Sequence, residues 1–337
     1  MKCLGSSWLM LLSHNDPRLS WHGHVSLERT ASYTRPWRIP FAERTLFPPE
    51  LLVPAATQAG VRLAFVSETR RLAGRVLPGG GSQKIDLCIN GEVVGTADLG
   101  GQESFAFHDL PAGEKRFELW LPHRGDFALQ SLEIDDDASL RQARDDRPRW
   151  VTYGSSITHC GEAASPTETW PAIVARDRNL NLQCLGYGGQ CHLDFEMARL
   201  MRDRPADFIS LCVGINIYGN GSLNARSFPA SLIGFIRTLR EKHPTTPLLV
   251  MSPIFSFDRE TKANSVGWTL QNYRASVEEN VAKLRDFGDA NLHYLNGLQI
   301  FDETFGHLMP DRLHPNAEGY RIMGRNFLCH AAPILGM

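Results

Sequence analysis

The sequence predicts two domains: an all-β sandwich of jelly-roll type, then an α/β domain built on a parallel sheet. Three observations carry that expectation. From about Trp21 to Ile134, short apolar stretches recur every ten residues or so between turn residues, the spacing of a sandwich. Beyond Trp150, apolar strand-like runs alternate with segments at helical spacing, which means parallel strands covered by helices on both faces. The 337 residues are too many for one ordinary core. These shifts place an N-terminal extension at 1–16, the sandwich at 17–140, a linker at 141–148 and the α/β domain at 149–337.

In the first half, Val61 to Val66 alternates apolar and polar positions, as does Ile85 to Ile89. Asn90-Gly91 then separates Ile89 from Val93-Val94; that dipeptide signals a type I′ hairpin, because both turn residues need positive φ. Phe105 to Phe107, Phe117 to Leu121 and Phe127 to Ile134 supply further strands. Trp21, Tyr33 and Trp37 suit a small β core better than a sugar platform. The acidic runs Asp135-Asp136-Asp137 and Asp145-Asp146 lack the glycine and terminal glutamate of a calcium loop and read as solvated linker. Met1 to Ser13 has one lysine and only a short apolar patch. It lacks a clear signal-peptide pattern, so a disordered extension and a cytoplasmic protein are expected, with secretion as the alternative.

In the second half, Trp150 to Tyr153 is a buried strand that breaks at Gly154 into Ser155-Ser156. Thr169 caps a helix with Pro171 in its first turn. Leu182 to Leu185, Phe208 to Val213, Pro247 to Met251 and His293 to Leu295 are strands. Leu193 to Met201, Pro229 to Lys242, Trp268 to Phe287 and Asn316 to Cys329 are helices, the last begun by Pro315.

Charge and composition exclude several classes. With 35 basic against 37 acidic side chains, the net charge is -2, so no nucleic acid or anionic membrane is held by bulk charge. No apolar run approaches the ~18 residues of a membrane span. Seven cysteines, an odd number without CxxC spacing, suit a reducing compartment and neither a disulfide framework nor a zinc site. No metal-ligand spacing and no cofactor motif appear, so no cofactor is expected. Oligomeric state is not legible.

Four strand-to-helix junctions carry polar residues suited to one task. Ser156 follows Gly154 at the carboxyl edge of a sheet, where ligands of open α/β folds bind. A serine needs a base to become a nucleophile. Asp311-Arg312-Leu313-His314-Pro315 supplies one: across a three-residue turn Asp311 can reach one imidazole nitrogen of His314 and leave the other for Ser156. The backbone N–H of Gly189 can approach an oxyanion unobstructed by a side chain, and the amide of Asn216, after Gly214, can donate to the same charge. Each junction alone is ordinarily a turn, a loop or an Asx turn. Together they fill four chemical roles at strand ends of one domain. His159, His192, Tyr218 and Trp268 are candidate pocket residues, with loop or core packing as the plainer reading.

Those residues carry a resemblance. Gly154-Ser155-Ser156-Ile157-Thr158 resembles the first block of the SGNH (GDSL-type) esterases and lipases, with Ser156 at the nucleophile. Leu185 to Gly189 is similar to the second block, Gly214-Ile215-Asn216 to the third and Asp311 to Pro315 to the fifth. One departure is Ser155, where the family usually has aspartate; some branches carry Ser or Thr there. Thr158 occupies the second glycine of Gly-x-Ser-x-Gly, which disfavours an α/β-hydrolase elbow. The resemblance implies a flavodoxin-like three-layer α/β/α domain, a catalytic set of Ser156, Asp311 and His314, and an oxyanion hole of Ser156, Gly189 and Asn216. A sandwich also precedes this domain in members acting on acylated carbohydrates and in an acyltransferase of antibiotic biosynthesis. The expected protein is a serine esterase releasing a short acyl group, acetyl above all, from a polar alcohol such as a carbohydrate. The alternatives are an acyltransferase using the same acyl-serine, or a carbohydrate-binding protein with a vestigial SGNH domain.

Overall fold

The computed structural model describes residues 9–77, 79 and 83–337. The chain divides into two compact units. One holds the chain up to Ala42, Ala55–Asp146 and Ser165–Thr167; the other holds Glu43–Pro54, Arg147–Ala164 and Glu168–Met337.

The first unit is a β-sandwich. Its strands are β1 (Leu9–Ser13), β2 (Ser20–His22), β3 (Ser26–Arg29), β4 (Thr34–Trp37), β5 (Arg62–Ser67), β6 (Leu72–Val76), β7 (Lys84–Ile89), β8 (Glu92–Asp98), β9 (Ser104–Phe107), β10 (Lys115–Trp120), β11 (Leu129–Asp135) and β12 (Leu140–Gln142). Among the described residues they form two six-stranded antiparallel sheets, one running β3-β4-β11-β6-β9 with β1 on β11, the other β12-β5-β10-β7-β8 with β2 on β5. Inward-facing residues of both sheets, including Leu72, Leu132 and Ile134 on one side and Leu63, Phe65 and Phe117 on the other, make one core. Asn90 (φ 51°) and Gly91 (φ 90°) take the left-handed conformations expected of the β7–β8 hairpin.

Three expectations need correction here. Leu9–Ser13, expected in a disordered extension, is β1, paired along its length with β11; residues 1–8 lie outside the described residues. The expected linker at 141–148 begins inside β12. The acidic runs are not all solvated. The Asp135 carboxylate accepts from the Arg70 and Arg71 N–H groups and the Thr69 hydroxyl, and Asp145 is buried 3.7 Å from Arg62. Trp37 is buried with its N–H on Glu28, and Trp21 packs on the core. The buried Asp86 draws Ser165–Thr167 into this unit: its carboxylate accepts from the Ser165 hydroxyl and from the Thr167 N–H and hydroxyl at 2.6–2.8 Å.

The second unit contains most of α1 (Pro49–Ala55), then β13 (Arg149–Gly154), α2 (Ser156–His159), α3 (Trp170–Asp177), β14 (Asn181–Gly186), α4 (Phe195–Arg202), β15 (Phe208–Cys212), α5 (Ile215–Asn220), α6 (Ser227–Arg240), β16 (Leu248–Met251), α7 (Leu270–Asp286), β17 (Leu292–Leu295), α8 (Ala317–His330) and α9 (Ala332–Leu335). The sheet is parallel, in the order β14-β13-β15-β16-β17. That is the flavodoxin-type order, whose ligands gather where the strand order reverses. Alternation along β13 shows both covered faces. Trp150 packs on Trp170 of α3 and Phe327 of α8, whereas Tyr153 stacks on Phe235 of α6. The buried Trp150 N–H is satisfied by the Ser210 hydroxyl, which donates to Thr152.

Helix starts follow the sequence signals. Thr169 caps α3, with Pro171 in its first turn, and Thr269 caps α7, its hydroxyl accepting from the Asn272 N–H and its own N–H donating back to the Asn272 side-chain oxygen. The closing helix starts one residue later than expected, because the Asn316 side chain accepts from the Gly319 N–H and so is the cap. Among the described residues, no helix is long and apolar enough to cross a membrane.

Candidate active site

The site is assembled from loops at the carboxyl ends of β13, β14 and β15 and from the turn before α8. Ser156 is the first residue of α2, capped by the buried Ser155, whose hydroxyl accepts from the Ile157 N–H at 3.2 Å. A Cβ on Gly154 would run into the Thr158 side chain, so glycine lets α2 fold back tightly onto the strand end. The buried Trp170 N–H donates to the Ile157 carbonyl at 2.9 Å and pins α2 from the opposite side. As the first residue of a helix, Ser156 has a backbone N–H without an intrahelical acceptor.

The structure brings Ser156, His314 and Asp311 into one line. Ser156 Oγ is 2.8 Å from His314 Nε2, and His314 Nδ1 is 2.6 Å from Asp311 Oδ2. The other carboxylate oxygen accepts the His314 and Leu313 N–H groups at 2.7 and 3.0 Å. Burial pushes the Asp311 carboxyl up, but those N–H groups and the His314 ring outweigh it and hold the group at about 2. Asp311 is therefore a permanent anion against Nδ1, which sets the proton there and leaves Nε2 as acceptor. The His314 side chain is 25% exposed and that of Asp311 53% exposed, so the site is open to solvent.

Gly189 and Asn216 are held by partners that sequence alone does not reveal. Gly189 has φ 74°, a region glycine enters without strain. Its carbonyl lies 3.0 Å from His192 Nε2, and His192 Nδ1 is 2.8 Å from the Ser222 hydroxyl. A carbonyl only accepts, so Nε2–H donates to Gly189 and Nδ1 accepts from Ser222, and His192 fixes the peptide next to the Gly189 N–H. Asn216 Oδ1 accepts from the Cys191 N–H at 3.0 Å, which fixes which end of the amide is the oxygen and keeps Nδ2 as the donor.

A second support was missed altogether. Arg259 donates to the Arg312 carbonyl at 3.2 Å, as does the Ser256 hydroxyl at 3.3 Å. The Arg312 guanidinium bonds Asp258 at 3.0–3.2 Å and lies 4.5 Å over the Phe257 ring. The segment carrying Ser256 to Arg259 is anchored to α7, where Arg274 forms a bidentate pair with Glu260 and bonds the Pro253 carbonyl. Arg312 sits inside the Asp-x-x-His turn, but nothing in its spacing announced this role.

The remaining candidates are placed differently. His159 is nearly buried at the end of α2. Tyr218 donates to the Lys262 carbonyl and meets Tyr273 edge-on; Trp268 packs edge-on against Phe228 and Tyr273. Among the described residues, no three His, Cys, Asp or Glu side chains are grouped to hold a metal.

Comparison with known proteins agrees with this architecture. Residues 147–325 match the GDSL-like Lipase/Acylhydrolase family, and residues 19–130 match the SsfX3 N-terminal domain. Among solved structures, the salicylyl-acyltransferase SsfX3 from a tetracycline biosynthetic pathway is 33% identical, with 97% of each chain covered and a TM-score of 0.90. A candidate GDSL-like lipase from Bacteroides ovatus is 21% identical over 98% of each chain, with a TM-score of 0.80. A family two carbohydrate esterase from Cellvibrio japonicus is 16% identical over 98% of each chain, with a TM-score of 0.69. A search of curated proteins found no match. The resemblance read from the four sequence blocks is thus borne out: the chain belongs to the GDSL-like lipase/acylhydrolase family and is a serine hydrolase of the SGNH type.

Proposed function

We propose that this enzyme hydrolyses a short-chain acyl ester, acetyl above all, of a polar alcohol such as a carbohydrate, through an acyl-serine intermediate. The observation that carries the reading is the Ser156–His314–Asp311 alignment at 2.8 and 2.6 Å. Ser156 Oγ attacks the ester carbonyl as His314 Nε2 takes its proton. Asp311 keeps the ring in the required tautomer and stabilises the imidazolium. The N–H groups of Ser156 and Gly189 and the Asn216 amide hold the oxyanion, where each donor is worth about 3 kcal/mol in other enzymes. His314 then protonates the leaving alcohol. Water, activated by the same ring, releases the acid and restores Ser156. An exposed His314–Asp311 edge suits a small acyl group on a bulky polar alcohol.

The second reading is acyl transfer, in which an acceptor alcohol replaces water at the acyl-serine. It is favoured by the 33% identity, over nearly the whole chain, to a protein described as a salicylyl-acyltransferase. A vestigial domain is opposed by the intact hydrogen-bonded alignment. The deciding assay incubates the enzyme with 4-nitrophenyl acetate, 4-nitrophenyl salicylate and acetylated saccharides, with and without a polyol acceptor, and identifies the products. Free acid as the dominant product supports hydrolysis, and an acylated polyol supports transfer. No turnover above a Ser156→Ala control on any ester would sink both.

A further inference from the structure

The end of β14 and the loop after it hold Gly186, Gly188 and Gly189. Two of them are glycine for reasons of fold. A Cβ on Gly186 would run into the backbone of Thr158 and His159, so the close approach of α2 requires glycine there. Gly189 has φ 74°, a conformation that favours glycine.

Gly188 meets neither demand. Tyr187 to Gln190 is a turn closed by the Gln190 N–H on the Tyr187 carbonyl at 3.1 Å. Of its two central residues only Gly189 has positive φ. That is the type II pattern, in which the third residue favours glycine and the second suits ordinary side chains, proline often. A Cβ built on Gly188 would meet one atom within 4 Å outside its chain neighbours: the Cβ of Ser156, at 3.8 Å, an ordinary van der Waals contact. Gly188 and Ser156 are both partly exposed, so a substrate reaches the space between them. A glycine that the backbone does not require weakens a fold relative to alanine, because it enlarges the entropy of the unfolded chain. At Gly188 no packing or backbone demand offsets that loss. What the missing side chain leaves is open space against the nucleophile.

We propose that Gly188 sets the size of the acyl group, the gap beside Ser156 admitting the acyl carbons beyond acetyl. This rests on the acyl-serine reading above. In the tetrahedral intermediate, the carbon bonded to Ser156 Oγ carries three other groups. The oxyanion turns to the Gly189 N–H. The leaving alcohol must reach His314 Nε2, which comes to Ser156 from the turn before α8. The acyl chain takes the remaining direction, over Gly188. A methyl group on residue 188 would occupy the space that the third and fourth acyl carbons enter, whereas the single methyl of acetyl stays beside the carbonyl. One methyl group more or less in such a pocket is worth about 10–200-fold in discrimination.

The test compares wild type, Gly188→Ala and Gly188→Val on 4-nitrophenyl acetate, 4-nitrophenyl butyrate and methyl butyrate, with a melting curve for each protein. Wild type should cleave butyrate as well as acetate. In Gly188→Ala the ratio of butyrate to acetate kcat/KM should fall at least about tenfold, and further in Gly188→Val. The loss on butyrate should be the same for its methyl and 4-nitrophenyl esters. The Tm of Gly188→Ala should equal or exceed that of wild type. The proposal is overturned by a wild type that cleaves acetate and not butyrate, by equal losses on acetate and butyrate, by a loss that follows the alcohol and not the acyl chain, or by a Gly188→Ala Tm below wild type, which would make this a structural glycine. Turnover of these esters by Ser156→Ala at the wild-type rate would instead overturn the acyl-serine reading itself.

Discussion

Asp258 and Arg312 face each other from two turns, each with φ 62°, and are joined carboxylate to guanidinium at 3.0–3.2 Å. Both are non-glycine residues in the left-handed region, which only well-supported turns sustain. The pair ties the turn that carries Asp311 and His314 to a segment anchored on α7.

Breaking that tie should loosen the base without removing it. Side chains of this pair are more than half exposed, so its worth is small, about 0.2–1 kcal/mol. Asp258→Ala and Arg312→Ala should each lower kcat about two- to fivefold with KM little changed. In a double-mutant cycle the two losses should not add. Strictly additive losses would show that the residues act separately.

Ser156→Ala should lower turnover by about 10⁴-fold or more and leave Tm near wild type, since Ser156 is half-buried and fills no core. Ser155→Ala should behave in the opposite way. It removes the cap of α2 and should cost about 1 kcal/mol of stability while activity stays within an order of magnitude. A dead Ser155→Ala with an active Ser156→Ala would shift the nucleophile by one residue.

Asn216→Ala should reduce kcat about 10²–10³-fold with a far smaller change in KM, because its donation strengthens only as charge develops on the oxyanion. His192→Phe should give a milder kcat loss of the same kind, through the freed Gly189 peptide. An unchanged kcat in Asn216→Ala would reduce that residue to a loop anchor for Cys191.

Asp311 gives one pH prediction of known sign and one prediction on activity. Its folded-state pKa is depressed to about 2. The stabilisation is therefore fully present above the unfolded value of ~3.9 and is lost as pH falls through the folded value. The Tm gap between wild type and Asp311→Asn should be widest above about pH 4 and should close towards pH 2. An amide does not enforce the ring tautomer that leaves Nε2 free for the Ser156 proton, so Asp311→Asn should lower kcat/KM about 10²–10⁴-fold. An undiminished kcat/KM would detach Asp311 from the mechanism.

Much of the fold was legible because local signals and tertiary structure agree. Asn90-Gly91, the Thr169 cap with Pro171 and the strand that breaks at Gly154 each state their geometry in a few residues. The chain order of Ser156, Gly189, Asn216 and the Asp311–His314 turn was legible for the same reason. What escaped depends on distant partners. Leu9–Ser13 has neither β-branched residues nor apolar–polar alternation to declare a strand, and the β11 ladder decides it. Asp145 reads as solvent-exposed until Arg62 lies beside it. His192 and Arg312 gain their roles only through Ser222, Gly189 and Asp258, none of which the local pattern links to them.

The central claim is that Ser156 carries the acyl group. Its most direct test is mass spectrometry of the enzyme acid-quenched during turnover of 4-nitrophenyl acetate, followed by peptide mapping. The account predicts a mass increase of one acetyl group on Ser156, absent from Ser156→Ala and chased away by hydroxylamine. An acetyl group on Ser155 or another side chain, with Ser156 unmodified while turnover proceeds, would contradict it.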